Sequence, residues 1–178
     1  QTWWSLQAVP SLKSEKTIIL YGDVPLVEQS DLLKLVEQSG NSLAVMTYIK
    51  DVPNGYGRIQ RENAEVVSII EDKDCNDDQR KIKEINTGIM AADTQKLIKW
   101  LSKLSNNNSQ KEYYLTDIVA LATAEGEKVY SHKVLAEITI SGVNSKAELV
   151  DMERKYQSKL AQTLVSNGAH IIDPNRID

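Results

Sequence analysis

The sequence predicts an α/β domain with a three-layer, mainly parallel sheet. Two patterns predict it: short β-branched runs alternate with stretches at helical spacing, and Gly, Pro, Asn and Asp punctuate the joins. A third observation is composition. Apolar residues make up 41% of 178 and charged residues 26%, enough to bury one core.

The elements follow in order. TIIL (17–20) reads as a buried strand that stops at Tyr21-Gly22-Asp23. Ser30 and Asp31 open a helix with Leu32, Leu33 and Val36 on one side, closed by Gly40. SLAVMTYI (42–49) is a second strand, and Pro53, Gly55 and Gly57 mark the next loop. GRIQREN and AEVVSIIE (57–71) form a hairpin about Asn63, an antiparallel excursion. The charged stretch 72–84 is solvated loop or helix turn, and EINTGIMAA (84–92) is a strand interrupted by Gly88.

Asp93 and Thr94 are N-cap types before Leu97, Ile98, Leu101 and Leu104. Thr116 caps a helix carrying Ile118, Leu121 and Ala122, stopped by Gly126. KVYSHKV (128–134) and AEITISGV (136–143) are strand-like. Ser145-Lys146-Ala147-Glu148 fits a capping box and opens the longest helix, to about Asn167. Its stripe is Leu149, Met152, Tyr156, Leu160 and Leu164, with Gly168 as its stop. HIIDPNRID reads as a final strand.

Composition excludes several functions. Lys and Arg total 21 against 25 Asp and Glu, a net charge of -4. There is no basic excess for nucleic acid or a membrane surface. One cysteine, Cys75, allows no intrachain disulfide, and two distant histidines, His132 and His170, build no Cys/His metal cluster. Trp3, Trp4 and Trp100 lack interleaved basic residues and read as packing. Acids around Cys75 hinder thiolate formation. Asn107-Asn108-Ser109 matches a glycosylation sequon, with nothing else indicating secretion.

Five places could carry chemistry. Asp23 follows a strand, at the sheet edge where α/β proteins bind ligands, and suits a hard cation such as Mg²⁺; an Asx-turn fits the same pattern. Gly55-Tyr56-Gly57 admits close ligand approach or is simply a flexible loop. Glu71 and Asn86 suit sugar hydroxyls, or are surface polarity. Asn144 offers an amide oxygen without added charge, or completes a helix-entry turn. Glu112-Tyr113-Tyr114-Leu115-Thr116-Asp117 stands at a helix entrance, as a polar-ligand site or a capped helix with a buried tyrosine.

Together and in order, LYGDVPL, GYGRIQREN, IIEDKD, DDQRKIKEINTGIM, WLSKLSNNNSQKEYYLTDI, SGVNSKAEL and ERKYQSKLAQTLVSNGAHIIDPNRID resemble one family. It is the bacterial bifunctional enzyme that is both N-acetylglucosamine-1-phosphate uridyltransferase and glucosamine-1-phosphate acetyltransferase. The match runs from about residue 7 to the end.

The resemblance implies a Rossmann-like nucleotidyltransferase domain, N-terminally truncated, over residues 1–178. It implies transfer of uridylyl from UTP to N-acetylglucosamine 1-phosphate, giving UDP-N-acetylglucosamine and pyrophosphate for peptidoglycan and lipopolysaccharide precursors. It implies a cytoplasmic enzyme using Mg²⁺, with Asp23 and Asn144 as metal ligands. Tyr21 and Gly22 match nucleotide-sugar contacts, Gly57, Glu71 and Asn86 match sugar contacts, and Tyr114 and Thr116 match further pocket positions. Intact members are trimers; for this chain a monomer or weak dimer is expected.

The sequence also departs from the family. The family's glycine-rich, Arg/Lys-bearing phosphate loop is not among these residues: the glycines are 22, 40, 55, 57, 88, 126, 142 and 168. A Gly-Thr motif that helps hold uracil is expected near residues 1–5, where the chain has QTWWS. The family's asparagine pair is Asn144-Ser145 here. The left-handed β-helix of the acetyltransferase half is absent from the chain. The alternative expectation is therefore a non-catalytic fragment that binds only sugar phosphate or metal.

Overall fold

A ten-residue strand, buried along almost its whole length, organises the chain. A computed structural model describes residues 13–176, so Trp3, Trp4 and the QTWWS segment lie outside the described residues. The strands are β1 (Lys16–Ile19), β2 (Leu43–Ile49), β3 (Arg58–Glu62), β4 (Glu65–Ile70), β5 (Glu84–Asp93) and β6 (Val129–Lys133). The helices are α1 (Gln29–Ser39), α2 (Thr94–Leu101), α3 (Asp117–Ala124) and α4 (Lys146–Ser166). The chain divides into two compact units. One comprises Gln1–Tyr21 with Val27–Leu135, the other Gly22–Leu26 with Ala136–Asp178.

The first unit holds a six-stranded sheet in the order β1-β5-β2-β6-β4-β3, with one further β3–β5 pairing at Arg58 and Ile85. The α/β class holds, but the sheet is mixed rather than mainly parallel. Among the described residues β2–β6 is the only parallel pairing. Strands β1, β2 and β6 do run the same way, as alternating α/β connections require. What the pattern concealed is β5, which slots antiparallel between β1 and β2.

The layers follow from burial. Leu43 through Thr47 of β2 are all buried, so the strand is covered on both faces. Leu43 and Val45 join Met90 and Ala92 of β5 in one cluster with Leu97 and Trp100 of α2 and Ile118 of α3. The alternate positions face the other way, and α1 packs on β2, β5 and β6. Helix α1 starts at Gln29 and buries Leu35 and Ser39, whereas Leu33 is exposed. Asp93 caps α2 as expected, accepting from Gln95 N and Lys96 N. The hairpin turn is as expected, with Asn63 and Ala64 both at positive φ, as a two-residue primed turn requires.

In the second unit, Ser145 and Glu148 form the capping box of α4. Of its expected stripe Met152 is buried, while Leu149, Tyr156, Leu160 and Leu164 are exposed. Two expected strands are absent among the described residues. Residues Glu137–Ile140 form a 3-10 turn, because Thr139 and Ser141 hydroxyls donate to Ala136 O (2.6 Å) and Glu137 O (2.8 Å), competing with any ladder. The described part of the last segment also ends in a 3-10 turn, Pro174–Arg176, where proline cannot donate to a strand. No helix among the described residues is long and apolar enough to cross a membrane.

Trp100 is fully buried and its indole N–H donates to Glu125 at 3.2 Å. Trp100→Ala is expected to cost about 3–5 kcal/mol of unfolding free energy. Urea unfolding monitored by far-UV circular dichroism checks this; a loss below about 1 kcal/mol would contradict its place in the core.

Candidate functional site

Strand ends and the loops leaving them hold the polar side chains that the sequence singled out. In the first unit Glu71 ends the hairpin, immediately before the 3-10 turn Asp72–Asp74. Its Oε1 accepts the Thr116 hydroxyl at 2.7 Å. Thr116 is therefore the N-terminal flank of α3 without a side-chain cap there: its hydroxyl serves Glu71 instead. Glu71 Oε2 lies 3.6 Å from where a Cβ on Gly57 would stand, so the bare glycine opens space beside the carboxylate. Gly57 O in turn accepts Asn86 N–H at 2.9 Å. Gly57, Glu71, Asn86 and Thr116, scattered over the sequence, are thus brought together.

Asn86 begins an irregularity in β5. The β2 register passes from Val45↔Met90 to Thr47↔Asn86, so β5 carries extra residues there. Asn86 Oδ1 accepts Gly88 N–H (3.0 Å) and Thr87 Oγ1 donates to Met46 O (2.9 Å). Gly88 has φ of +82°, and a Cβ on it would stand 1.8 Å from Cε2 of Tyr21. The Tyr21 ring therefore lies directly on the Gly88 backbone.

Tyr114 stands one turn before α3. Its hydroxyl is met by Gln110 Nε2 at 3.0 Å, and Gln110 Oε1 by Lys73 Nζ at 2.6 Å. Ser109 N–H reaches Asp74 Oδ1 at 3.2 Å. The loop after α2 is thereby fastened to the 3-10 turn that follows Glu71.

Two features of this unit go beyond the sequence reading, which did not single out Arg58 and placed Asp117 only at a helix entrance. One is Arg58, almost completely buried, whose Nη2 meets Asp72 Oδ1 at 2.9 Å and whose Nη1 donates to Tyr56 O. Burial raises the Asp72 pKa, but Gly55 N–H and Arg58 outweigh it and hold the carboxyl below its ordinary value. The clamp ties the Gly55–Gly57 loop to the turn beside Glu71. Its only sequence signal is an arginine opening a strand between two turns. The other is Asp117, half-buried at the start of α3. Burial, then the Glu71 and Asp74 charges, push its pKa up.

In the second unit Asp23 and Asn144 meet around Gly142. Val143 N–H donates to Asp23 O at 2.8 Å. A Cβ on Gly142 would lie 3.4 Å from Asp23 Oδ2 and 3.9 Å from the Asn144 carboxamide nitrogen. Gly22 adjoins Asp23 with open space around it. The Asn144 and Ser145 N–H groups both donate to Glu148, at 2.6 and 3.0 Å, so capping fixes the backbone that carries Asn144. Among the described residues no group of three or more His, Cys, Asp or Glu side chains is arranged to hold a metal ion. The Asp23 carboxylate suits Mg²⁺, which takes oxygen ligands and keeps waters in its shell, whereas the Asn144 carboxamide presents its nitrogen to this space and would ligate only once turned so that its oxygen faces Asp23.

Over 175 residues the chain is 47% identical to the bifunctional protein GlmU of Herminiimonas arsenicoxydans, covering 97% of this chain and 39% of that protein. It is 49% identical to the bifunctional protein GlmU of Idiomarina loihiensis, with 97% and 38% covered. The chain thus spans about two-fifths of the length of the curated relatives it matches. No family model matches it. Among solved structures, a UDP-glucose pyrophosphorylase complexed with UDP-glucose aligns with a TM-score of 0.61 at 16% identity, covering 89% of this chain and 62% of that one. A CMP:2-keto-3-deoxy-manno-octonic acid synthetase complexed with CTP gives 0.57 at 17%, covering 92% and 68%. These likenesses bear out the Rossmann-like nucleotidyltransferase fold.

Because the folded state raises the Asp117 pKa, the fold binds that proton more tightly than the unfolded chain does. Stability from this group is present below the unfolded value and lost as pH rises through the folded one. Asp117→Asn is expected to raise the melting temperature at pH 7 and to flatten its fall from pH 4 to 6. An unchanged profile in scanning calorimetry would contradict this.

Proposed function

Since the chain is related to the bifunctional GlmU proteins along nearly its whole length, we propose that residues 1–178 are part of a uridyltransferase domain. Its reaction is uridylyl transfer from UTP to N-acetylglucosamine 1-phosphate, releasing pyrophosphate, in a cytoplasmic setting. The observation that carries the reading is the pairing of Asp23 with Asn144 around Gly142.

In this reaction a phosphate oxygen of the sugar phosphate bonds to the α-phosphorus of UTP, and the bond to the departing pyrophosphate breaks. Such displacement needs alignment and charge neutralisation rather than a protein nucleophile. Mg²⁺, held by Asp23 and Asn144, would neutralise phosphate charge. Glu71, with Oε1 taken by Thr116, offers Oε2 to a sugar hydroxyl beside the bare Gly57. Asn86, with its carbonyl oxygen taken by Gly88, offers its N–H donors to an acceptor on the sugar. Tyr21, Gly22 and Tyr114 would serve as further contacts of the nucleotide sugar.

The second reading, a chain that binds sugar phosphate or metal without turnover, is favoured by one observation. None of the eight glycines belongs to a glycine-rich phosphate loop. Such a loop supplies several charge-assisted hydrogen bonds to a triphosphate, each worth about 1.5–3 kcal/mol. Pyrophosphate release by the 178-residue chain, with UTP, N-acetylglucosamine 1-phosphate and Mg²⁺, separates the two readings. We expect turnover far below that of a full-length GlmU assayed alongside, and a monomer or weak dimer by light scattering.

Asp23→Asn, made here and at the aligned position of a full-length relative, is expected to lower that relative's rate by about 10²-fold or more. Wild-type-like turnover would remove Asp23 from the metal site. Glu71→Ala and Asn86→Ala are each expected to weaken N-acetylglucosamine 1-phosphate binding by about 1–3 kcal/mol and UTP binding less. Calorimetric titration reads both ligands; loss of UTP affinity with sugar affinity intact would reverse the assignment.

A further inference from the structure

Two of the residues assigned above to the nucleotide sugar, Tyr21 and Asn86, touch a common third residue that has no side chain. Gly88 lies at the β5 irregularity, at φ of +82°, where a residue with a Cβ is strained. Its N–H donates to Asn86 Oδ1 at 3.0 Å, and this bond fixes which way the carboxamide faces. Its α-carbon carries the Tyr21 ring: an added Cβ would stand 1.8, 2.6 and 2.7 Å from Cε2, Cζ and Cδ2. All three are ring atoms of Tyr21, an exposed side chain that starts just after β1, so the ring would have to swing off the Gly88 backbone to admit a methyl group.

The surroundings hold Gly88 in this conformation. Thr87 fills both roles that the broken ladder vacates: its hydroxyl donates to Met46 O (2.9 Å) and accepts Ile89 N–H (3.3 Å). Asn86, Thr87 and Gly88 therefore make one self-satisfied unit, in which two side chains replace the strand partner and the third residue provides a flat seat. Asn86 N–H is also spent, on Gly57 O at 2.9 Å.

We propose that Gly88 is a positioning residue that couples the Tyr21 ring to the Asn86 carboxamide. Moving either side chain disturbs the other through Gly88. The functional meaning of the coupling rests on the reading of Tyr21 and Asn86 as nucleotide-sugar contacts. The coupling itself is a property of the fold and is tested without activity.

The probe is fluorine NMR of the chain labelled with 3-fluorotyrosine, with the Tyr21 resonance assigned by Tyr21→Phe. Gly88→Ala is expected to move the Tyr21 resonance toward that of a free fluorotyrosine. Asn86→Ala should also shift it, because the Gly88 N–H loses its acceptor. Asn86→Asp, which keeps an acceptor oxygen, should leave it close to wild type. A Tyr21 resonance unmoved by Gly88→Ala or by Asn86→Ala overturns the proposal.

If Gly88→Ala does not fold alone, the pair with Tyr21→Ala decides. With the ring removed there is room for the methyl group, and only the backbone strain remains. We expect Gly88→Ala to lower the melting midpoint by about 5 °C or more in the wild-type background and by less than half that beside Tyr21→Ala. Equal losses in both backgrounds, or failure of the double variant to fold, overturn it. Titration with N-acetylglucosamine 1-phosphate then reads the consequence, an expected loss of affinity of about tenfold or more in Gly88→Ala. Wild-type chain that does not bind the sugar phosphate would refute the proposed function, while the fluorine and melting results would still decide the coupling.

Discussion

The arrangement depends on how β5 satisfies its backbone while buried on both faces and between two strands that run opposite to it. An unpaired buried N–H or C=O costs as much as a lost hydrogen bond, so every departure from the ladder needs a substitute. At one point β5 does depart, where the register against β2 shifts between Val45 and Thr47. The substitutes come from within the strand, the Asn86 amide and the Thr87 hydroxyl. The irregularity that interrupts the sheet is thus also what turns Asn86 toward Gly57 and seats Tyr21.

The loops around Glu71 are fixed by a different kind of interaction. Arg58 is buried with its charge facing Asp72, and the same carboxylate is approached by Arg80 at 3.7 Å. Buried ion pairs contribute little net stability, because desolvation consumes the attraction, but they tolerate little misplacement. Here the pair joins the strand that follows Gly57 to the turn that follows Glu71. The Thr116 hydroxyl restrains Glu71 from a third direction. Electrostatics in this region therefore act on geometry more than on the total free energy.

Much of this was legible in the sequence, and the reasons differ by element. The hairpin, the Asp93 cap and the Ser145–Glu148 capping box are local, set by residue types a few positions apart, and the structure has them as read. The direction of β5 was not legible, since EINTGIMAA has the same apolar run whether its neighbours are parallel or antiparallel. The segments 136–143 and 170–178 read as strands by composition, but a strand needs a partner, and in the described residues side-chain hydroxyls and Pro174 spoil the ladder. Asp23, Asn144, Glu71 and Asn86 were singled out from their local patterns and given roles by resemblance; that Asp23 lies beside Asn144, and Glu71 beside Gly57, depends on tertiary folding that no spacing rule encodes. Ser145, a departure from the family's asparagine pair, takes the N-cap, a position that serine and asparagine fill about equally well.

The smaller unit is discontinuous in the chain: Gly22–Leu26 belongs with Ala136–Asp178, while Val27–Leu135 belongs to the unit that holds the sheet. Synthesis runs from the amino end, so Asp23 leaves the ribosome long before Val143, the donor that holds its carbonyl. The hairpin, β5 and the seat for Tyr21 can be complete on a nascent chain that still lacks both Gly142 and Asn144. Glu71 and Asn86 would then be placed before Asp23 and Asn144 come together, and that last step closes a long loop.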